Sequence, residues 1–149
     1  MLRVVVDTNI FVSGTIIKRG NPHELMGRWR AGEFRLLYER EQYGELSDVL
    51  NRPWVRRRGI EAAEVADLLA ILLTNGEPID PGEVPLPVRD VDDEPILASA
   101  LGGEADYLVT GDADLLVLDG DPRLGKLRIV TARAFLDLLR EDDANVDRA

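Results

Sequence analysis

The chain contains no cysteine and only one histidine, His23, among its 149 residues. Without thiols there can be no disulfide and no thiolate metal site, so any metal ion must be bound through oxygen or through that single imidazole. Long apolar runs are also missing, and the apolar stretch at the start of the chain contains an acidic residue, Asp7. This pattern argues against a signal peptide and a membrane span, so we expect a soluble, cytoplasmic protein.

Basic residues are scarce: 18 Lys and Arg stand against 28 Asp and Glu, which gives a formal net charge of −10. Because phosphate contacts come from Lys and Arg, this balance argues against broad, non-specific binding to nucleic acid. It is weaker evidence against a nuclease, since a cluster of acids around bound cations would itself lower the net charge. Four clustered arginines form either a solvated surface or a local phosphate-binding patch, and these are Arg52, Arg56, Arg57 and Arg58.

Short β-branched and apolar runs predict strands of the kind that a parallel sheet buries on both faces. The segments predicted as strands are 2–6, 34–37, 106–110 and 127–130. Apolar stripes at helical spacing predict the intervening helices, at 21–31, 39–50, a short turn after Pro53, 61–74, 94–101, 113–117 and 132–140. Strands that alternate with helices imply an α/β fold, here three α/β/α layers around a central parallel sheet.

The length of the chain fits a single domain. We expect residues 1–140 to form this domain and the polar segment 141–149 to be a disordered tail. The proline-rich segment 77–90 is predicted to be loop or extended chain, because proline neither donates a backbone hydrogen bond nor continues a helix. Just beyond it, Asp92 or Asp93 is expected to cap the next helix.

Two of the predicted strands end in an acidic turn, at Asp7 and at Gly111-Asp112. The purely structural interpretation is that each aspartate caps the helix that follows it. In parallel α/β sheets, however, ligands bind outside the carboxyl ends of the strands. If these two strands are neighbours near the sheet centre, Asp7 and Asp112 will share one crevice.

Two further acids are candidates for the same crevice. Asp93 precedes an apolar helical run, so its side chain can lie along the buried edge toward the sheet. Glu45 lies within an apolar stripe, where a glutamate is more often a surface residue than a ligand. For Asp92 and Glu94 we favour the interpretation that their side chains are solvated and bind no metal.

Carboxylates gathered in one crevice repel one another unless a proton or a cation lies between them. Two of them about 4 Å apart repel by about 4 kcal/mol even at an effective dielectric of about 20, so a cluster takes up protons or binds a cation. With oxygen ligands alone, the fitting ions are Mg²⁺ and Mn²⁺, which are suited to phosphodiester hydrolysis. A phosphatase with Asp7 as nucleophile is a weaker alternative, because the aspartate usual two residues further on is replaced by Asn9.

Four segments taken together resemble the PIN-domain nucleases: VVVDTNIFVSG, EREQYGELSDVLNRP, RDVDDEPILASAL and ADYLVTGDADLL. The resemblance extends over residues 2–138, and the order of the segments is more specific than any one of them. The most similar subgroup contains toxin components of prokaryotic toxin–antitoxin systems. The resemblance implies cleavage of single-stranded RNA that depends on one or two Mg²⁺ or Mn²⁺ ions.

By this resemblance, the catalytic and metal-binding acids are Asp7, Glu45, Asp93 and Asp112. Residues that would help to hold water or metal around them are Asn9, Thr110 and Asp114. Asp90 also matches an acid of the subgroup, without an assigned role. The resemblance further implies an antitoxin protein as partner and a homodimer as the assembly. The alternative is a PIN-like module that binds RNA or protein without catalysis.

Overall fold

A five-stranded parallel sheet forms the centre of the protein, in the order β3-β2-β1-β4-β5. The computed structural model describes residues 1–148. The strands are β1 (Arg3–Val6), β2 (Arg35–Tyr38), β3 (Glu77–Pro78), β4 (Tyr107–Val109) and β5 (Arg128–Val130). This all-parallel sheet confirms the α/β prediction.

Helices cover both faces of the sheet. They are α1 (Thr8–Ile16), α2 (Asn21–Arg30), α3 (Arg40–Leu50), α4 (Pro53–Arg57), α5 (Ala62–Asn75), α6 (Glu94–Gly102), α7 (Ala113–Leu116) and α8 (Ala132–Arg148). Side chains alternate between faces along a strand, so Val4 and Val6 join one buried cluster while Val5 joins the other. One cluster lies on each face of the sheet, beneath the helices that cover that face, which gives three layers. Because β1 is buried on both faces, its valines are apolar on both sides.

Helix α1 was not among the helices predicted from the sequence. Its nine residues include β-branched side chains and Gly14, and they show no clear division into apolar and polar faces. Packing decides the matter, because α1 lies against α2 so closely that a Cβ at Gly14 would be 2.5 Å from the carbonyl oxygen of Pro22. Glycine is therefore what allows the two helices to meet.

The segment 77–90, predicted to be loop or extended chain, begins with a short edge strand, β3. Its two residues pair with β2, and the amide of Ile79 donates to the carbonyl of Tyr38 at 2.9 Å. Pro78 can belong to this strand because an edge position leaves one side of the backbone without a partner. The structure confirms the rest of the segment as non-helical up to a 3-10 turn at Val91–Asp93.

The closing helix is longer than the sequence predicts. We expected it to end at Arg140, whereas α8 continues to Arg148. The segment beyond 140 contains no glycine or proline that would end the helix. Disorder of segment 141–149 stays a prediction, and Ala149 lies outside the described residues.

Strands β1 and β4 are neighbours at the centre of the sheet, with Val6 opposite Val109, which meets the condition for Asp7 and Asp112 to share one crevice. The chain leaves β1 toward β2 on one side, and β4 lies on the other side, so the order of strands reverses here. The carboxyl ends of these two strands therefore form a topological switch point, where α/β folds bind their ligands. Among residues 1–148, no helix has the length and apolar character needed to cross a membrane.

Candidate active site

A cavity of about 780 Å³ opens at the carboxyl ends of β1 and β4. All four acids singled out in the sequence lie in its wall, and they are Asp7, Glu45, Asp93 and Asp112. They come from four separate segments of the chain: the ends of β1 and β4, the middle of α3 and the start of α6. We call this recess the acidic cavity.

Asp7 has two structural partners. Its Oδ1 accepts a hydrogen bond from the backbone amide of Asn9 at 3.0 Å, which caps α1. Its Oδ2 accepts one from the hydroxyl of Thr110 at 2.8 Å. Asp7 is thus a helix cap, as the purely structural interpretation had it. It also lies in the cavity wall, and the same hydrogen bonds fix the orientation of its carboxylate there.

Thr110 links the two strand ends. Its side chain is fully buried, and its oxygen accepts a hydrogen bond from the amide of Asp112 at 3.1 Å while its hydroxyl donates to Asp7. Asp112 in turn accepts from the amide of Asp114 at 2.9 Å, which caps α7. A continuous chain of hydrogen bonds therefore sets the position of Asp7 relative to Asp112.

The cap of α6 agrees with the prediction in position but not in its hydrogen bond. Asp93 is the N-cap residue of α6, yet its side chain makes no capping bond; Asp90 caps the preceding 3-10 turn instead, accepting from the amide of Asp92 at 3.0 Å. The reason is the 3-10 turn at Val91–Asp93, which moves the start of the helical segment upstream. Asp93 makes no capping bond, so its carboxylate is available to the cavity.

The carboxylate of Asp93 has the most unusual environment in the site. Its Oδ2 is buried and, among the described residues, has no hydrogen-bond partner. Burial, the hydrogen bond shared with Asp112 and the negative charges of Asp112, Asp90 and Asp114 together raise the pKa of Asp93 to about 6. A carboxylate that meets another carboxylate must either hold a proton or share a cation.

Three acids lie close enough to bind one ion together. Asp93, Asp112 and Asp114 each offer an oxygen, and these oxygens lie within 4.8 Å of one another. Hard divalent cations prefer such carboxylate oxygens, and the buried, unpartnered oxygen of Asp93 lacks the positive partner that an ion would supply. The residues present therefore fit a divalent metal ion.

Helix α3 supplies a wall that the sequence analysis largely missed. Glu39, Gln42 and Glu45 are three residues apart, so they share one face of the helix, and all three line the cavity together with Glu41. Burial raises the pKa of Glu39, and the charges of Glu41, Glu45 and Asp80 raise it further. The spacing around Glu45 was a signal that could have identified this face.

Gln42 ties this wall to the central strand. Its Nε2 donates to the carbonyl oxygen of Val6 at 2.8 Å, immediately before Asp7 in the chain. The bond fixes the helix that carries Glu45 against the strand that delivers Asp7. No signal in the sequence pointed to Gln42, because its side chain is an uncharged amide and its role depends on a contact between two distant segments.

The charged residues of the cavity wall are all acidic. In addition to the four acids they include Glu39, Glu41 and Asp92, and Asp92 is exposed to solvent. No lysine or arginine among residues 1–146 lines the cavity. The exposed Arg89 lies 3.8 Å from Asp114, which is close to Asp93 but does not line the cavity. An incoming phosphate would therefore be repelled unless cations were bound first.

The structure does not bring His23 or the clustered arginines to the cavity. The Nδ1 of His23 is 3.0 Å from the carbonyl oxygen of Gly14, and His23 does not line the cavity. None of the four clustered arginines lines the cavity: Arg52 pairs with Asp48, and Arg56 donates to the carbonyls of Leu50 and Ile60. Of the three surrounding residues, Asn9 lines the cavity, Thr110 bonds to Asp7, and Asp114 lies beside Asp93.

The parallel sheet with acids at its switch point defines an α/β domain of the nuclease type. A family model described as the PIN domain matches residues 3–114, from β1 through the acidic turn after β4. The chain belongs to the PIN-domain family. No match is found among the curated proteins. The matched region contains all four acids of the cavity, and PIN domains generally use divalent metal ions.

Proposed function

We propose that this protein is a Mg²⁺- or Mn²⁺-dependent endoribonuclease that hydrolyses phosphodiester bonds of single-stranded RNA. One observation carries the proposal: a buried, unpartnered carboxylate oxygen of Asp93 beside Asp112, in a cavity whose charged wall is acidic throughout. Such an arrangement is unfavourable by itself and becomes favourable when a hard cation fills it. Membership of the PIN-domain family supports the same chemistry.

The oxygen donors of the site select the class of metal. Carboxylates without thiolate or imidazole partners favour Mg²⁺ or Mn²⁺ over zinc or copper. We assign direct or water-mediated binding to Asp7, Asp93 and Asp112, with Asp114 close to the last two. When bound, such ions lower the pKa of a water and neutralise charge on the phosphate and the leaving oxygen.

The chain's own residues then have distinct roles. Glu45, which α3 contributes to the cavity wall, is assigned to ligate metal or to accept a proton from the attacking water. Thr110 and Gln42 hold Asp7 and α3 in place through the bonds described above. A single strand suits a local recess of this kind, because it can bend one phosphate inward, whereas a duplex holds its phosphates on a stiff rod.

The test is cleavage of a labelled single-stranded RNA by the purified protein, with Mn²⁺ and with EDTA. Asp7→Asn and Asp93→Asn should each lower the rate at least 100-fold. Asp48→Asn is the matched control, since Asp48 is an exposed acid on α3 that does not line the cavity. Undiminished cleavage by Asp7→Asn would remove Asp7 from the mechanism, and equal cleavage of single-stranded DNA would remove the preference for RNA.

We further propose that the enzyme is the toxin of a toxin–antitoxin pair, as the resemblance implies. The acidic wall supports a partner that neutralises the site by inserting a basic side chain. Induced expression should arrest bacterial growth, and Asp7→Asn should relieve the arrest. Growth arrest by both proteins would contradict a role for cleavage. The homodimer stays a prediction.

The non-catalytic alternative, a PIN-like module that only binds RNA or protein, makes a different prediction. A pure scaffold would have no physical use for mutually repelling carboxylates and should gain nothing from metal. Thermal unfolding with and without Mn²⁺ separates the two, because only a true metal site raises the melting temperature.

A further inference from the structure

A second, smaller cavity lies on the other flank of the first turn of α3. Its volume is about 300 Å³, and its lining consists of Tyr38, Arg40, Tyr43, Leu73 and Pro78. We call it the tyrosine groove. Its only charged lining residue is a cation, in contrast to the acidic cavity.

The two recesses share a wall. Along α3, Arg40 and Tyr43 are three residues apart and face the tyrosine groove, while Glu39, Gln42 and Glu45 face the acidic cavity. The separation across a helix with its side chains is about 10 Å. A strand that leaves the acidic cavity therefore has only the first turn of α3 to cross before it reaches the groove.

The groove offers a fixed aromatic surface. The rings of Tyr38 and Tyr43 lie 6.3 Å apart, centroid to centroid, at an interplanar angle of 43°. Tyr38 is only 5% exposed and packs so closely on Gly76 that a Cβ there would be 2.9 Å from its Cε1. Tyr43 is half-buried, which leaves part of its ring open to a ligand.

The guanidinium of Arg40 completes the chemistry of the groove. Arg40 is exposed, and no acid among residues 1–146 forms a salt bridge with it. Aromatic faces stack on any nucleobase, and arginine contacts phosphate. On a protein of net charge −10, an exposed cation beside two aromatic rings is complementary to a nucleotide.

We propose that the tyrosine groove binds a nucleotide of the RNA substrate adjacent to the cleaved bond. Its base stacks on Tyr43, and its phosphate contacts Arg40. This rests on the proposed ribonuclease function and adds to it a place where the strand is held outside the acidic cavity. An apolar peptide is the rival occupant, and it would make no use of the cation.

The test is the affinity for a fluorescent single-stranded RNA, measured by anisotropy with Mn²⁺ in an Asp7→Asn background that prevents cleavage. Tyr43→Leu keeps the apolar bulk that packs on the core but removes the aromatic face. It should weaken binding about tenfold, and Tyr43→Phe should restore the affinity to within about twofold. Arg40→Gln should lower the slope of log affinity against log salt by about one. Melting temperatures check that each variant is folded.

The active enzyme gives a second measurement. Tyr43→Leu should raise KM about tenfold with a far smaller change in kcat, because the groove lies away from the reacting phosphate. Unchanged affinity and KM for Tyr43→Leu would overturn the groove proposal while cleavage by the unaltered protein upholds the ribonuclease. Absence of cleavage by the unaltered protein would overturn the ribonuclease, and the binding measurement would still decide the groove.

Discussion

The carboxylates of Asp93 and Asp112 meet at one corner of the acidic cavity, although 18 residues and a strand separate them in the chain. Asp112 receives a backbone hydrogen bond from Asp114, whereas Oδ2 of Asp93 has no donor among the described residues. The pair therefore carries an unbalanced negative charge. The predictions below follow from this imbalance and from the contacts that maintain it.

Stability of the metal-free protein should fall as the pH rises from about 4 to about 6. The pKa of Asp93 is raised to about 6 in the folded protein, above its ordinary value near 3.8 in the unfolded chain. Between these two pKa values the folded protein binds a proton that the unfolded chain does not. The stabilisation from this proton is therefore complete below the lower pKa, and it is lost as the pH rises through the upper pKa. We expect a loss of about 1–2 kcal/mol after allowing for solvent screening.

Urea unfolding with EDTA at a series of pH values measures this change. Asp93→Asn should remove most of the slope, since an amide cannot titrate. A slope that is the same in both proteins would show that Asp93 is not the group responsible.

Manganese should raise the melting temperature of the protein. At a metal concentration 100 times the Kd, the stabilisation is about 2.7 kcal/mol, which corresponds to roughly 5–10 °C for a chain of this size. Differential scanning calorimetry at pH 7.5 should give this shift for the unaltered protein and for Asp48→Asn, and a much smaller one for Asp93→Asn. Because binding requires deprotonated carboxylates, the shift should also shrink below pH 6.

Thr110→Val should lower activity about 10- to 100-fold with little loss of stability. Valine fills the same volume but removes the hydroxyl that joins Asp7 to the amide of Asp112. Groups that orient metal ligands usually contribute to this extent. Steady-state cleavage of RNA measures the effect, and Thr110→Ser should recover most of the rate. Equal rates for Val and Thr would mean that the turn holds Asp7 without the hydroxyl.

Much of the site could be predicted because it depends on strand ends. In a parallel sheet the carboxyl ends lie at one edge, so Asp7 and Asp112 were expected in one crevice from the pattern of strands alone. Glu45 could not be identified in this way. Glu45 was identified only through the family resemblance. The sequence alone does not tell which face of a helix lines a site, because that depends on which elements pack beside it.

The elements that the sequence did not reveal depend on tertiary contacts. Helix α1 has no clear apolar stripe, and β3 contains a proline, so local patterns argue against both. The capping role of Asp90 was missed since the acids around it are interchangeable in sequence and only the 3-10 turn selects one. Likewise, Gln42 acquires its role from the carbonyl of Val6, a residue 36 positions away.

Gly14→Ala should destabilise the fold by about 1–3 kcal/mol, because its methyl group would overlap the backbone of Pro22. Gly27→Ala is the matched control: Gly27 also lies within a helix, and a Cβ there meets nothing within 4 Å. Removing glycine from that helix should stabilise the protein by about 0.4–1 kcal/mol. Chemical denaturation of both variants tests the packing of α1 on α2, and similar effects would contradict it.

Anomalous diffraction from crystals soaked in Mn²⁺ shows whether the acidic cavity binds metal, since it locates bound ions without reference to activity. We predict a peak in the acidic cavity with oxygens of Asp93 and Asp112 among the ligands, and no such peak in Asp93→Asn crystals. A cavity that stays free of metal at millimolar Mn²⁺ and neutral pH, with the four acids in the positions described, would contradict the account.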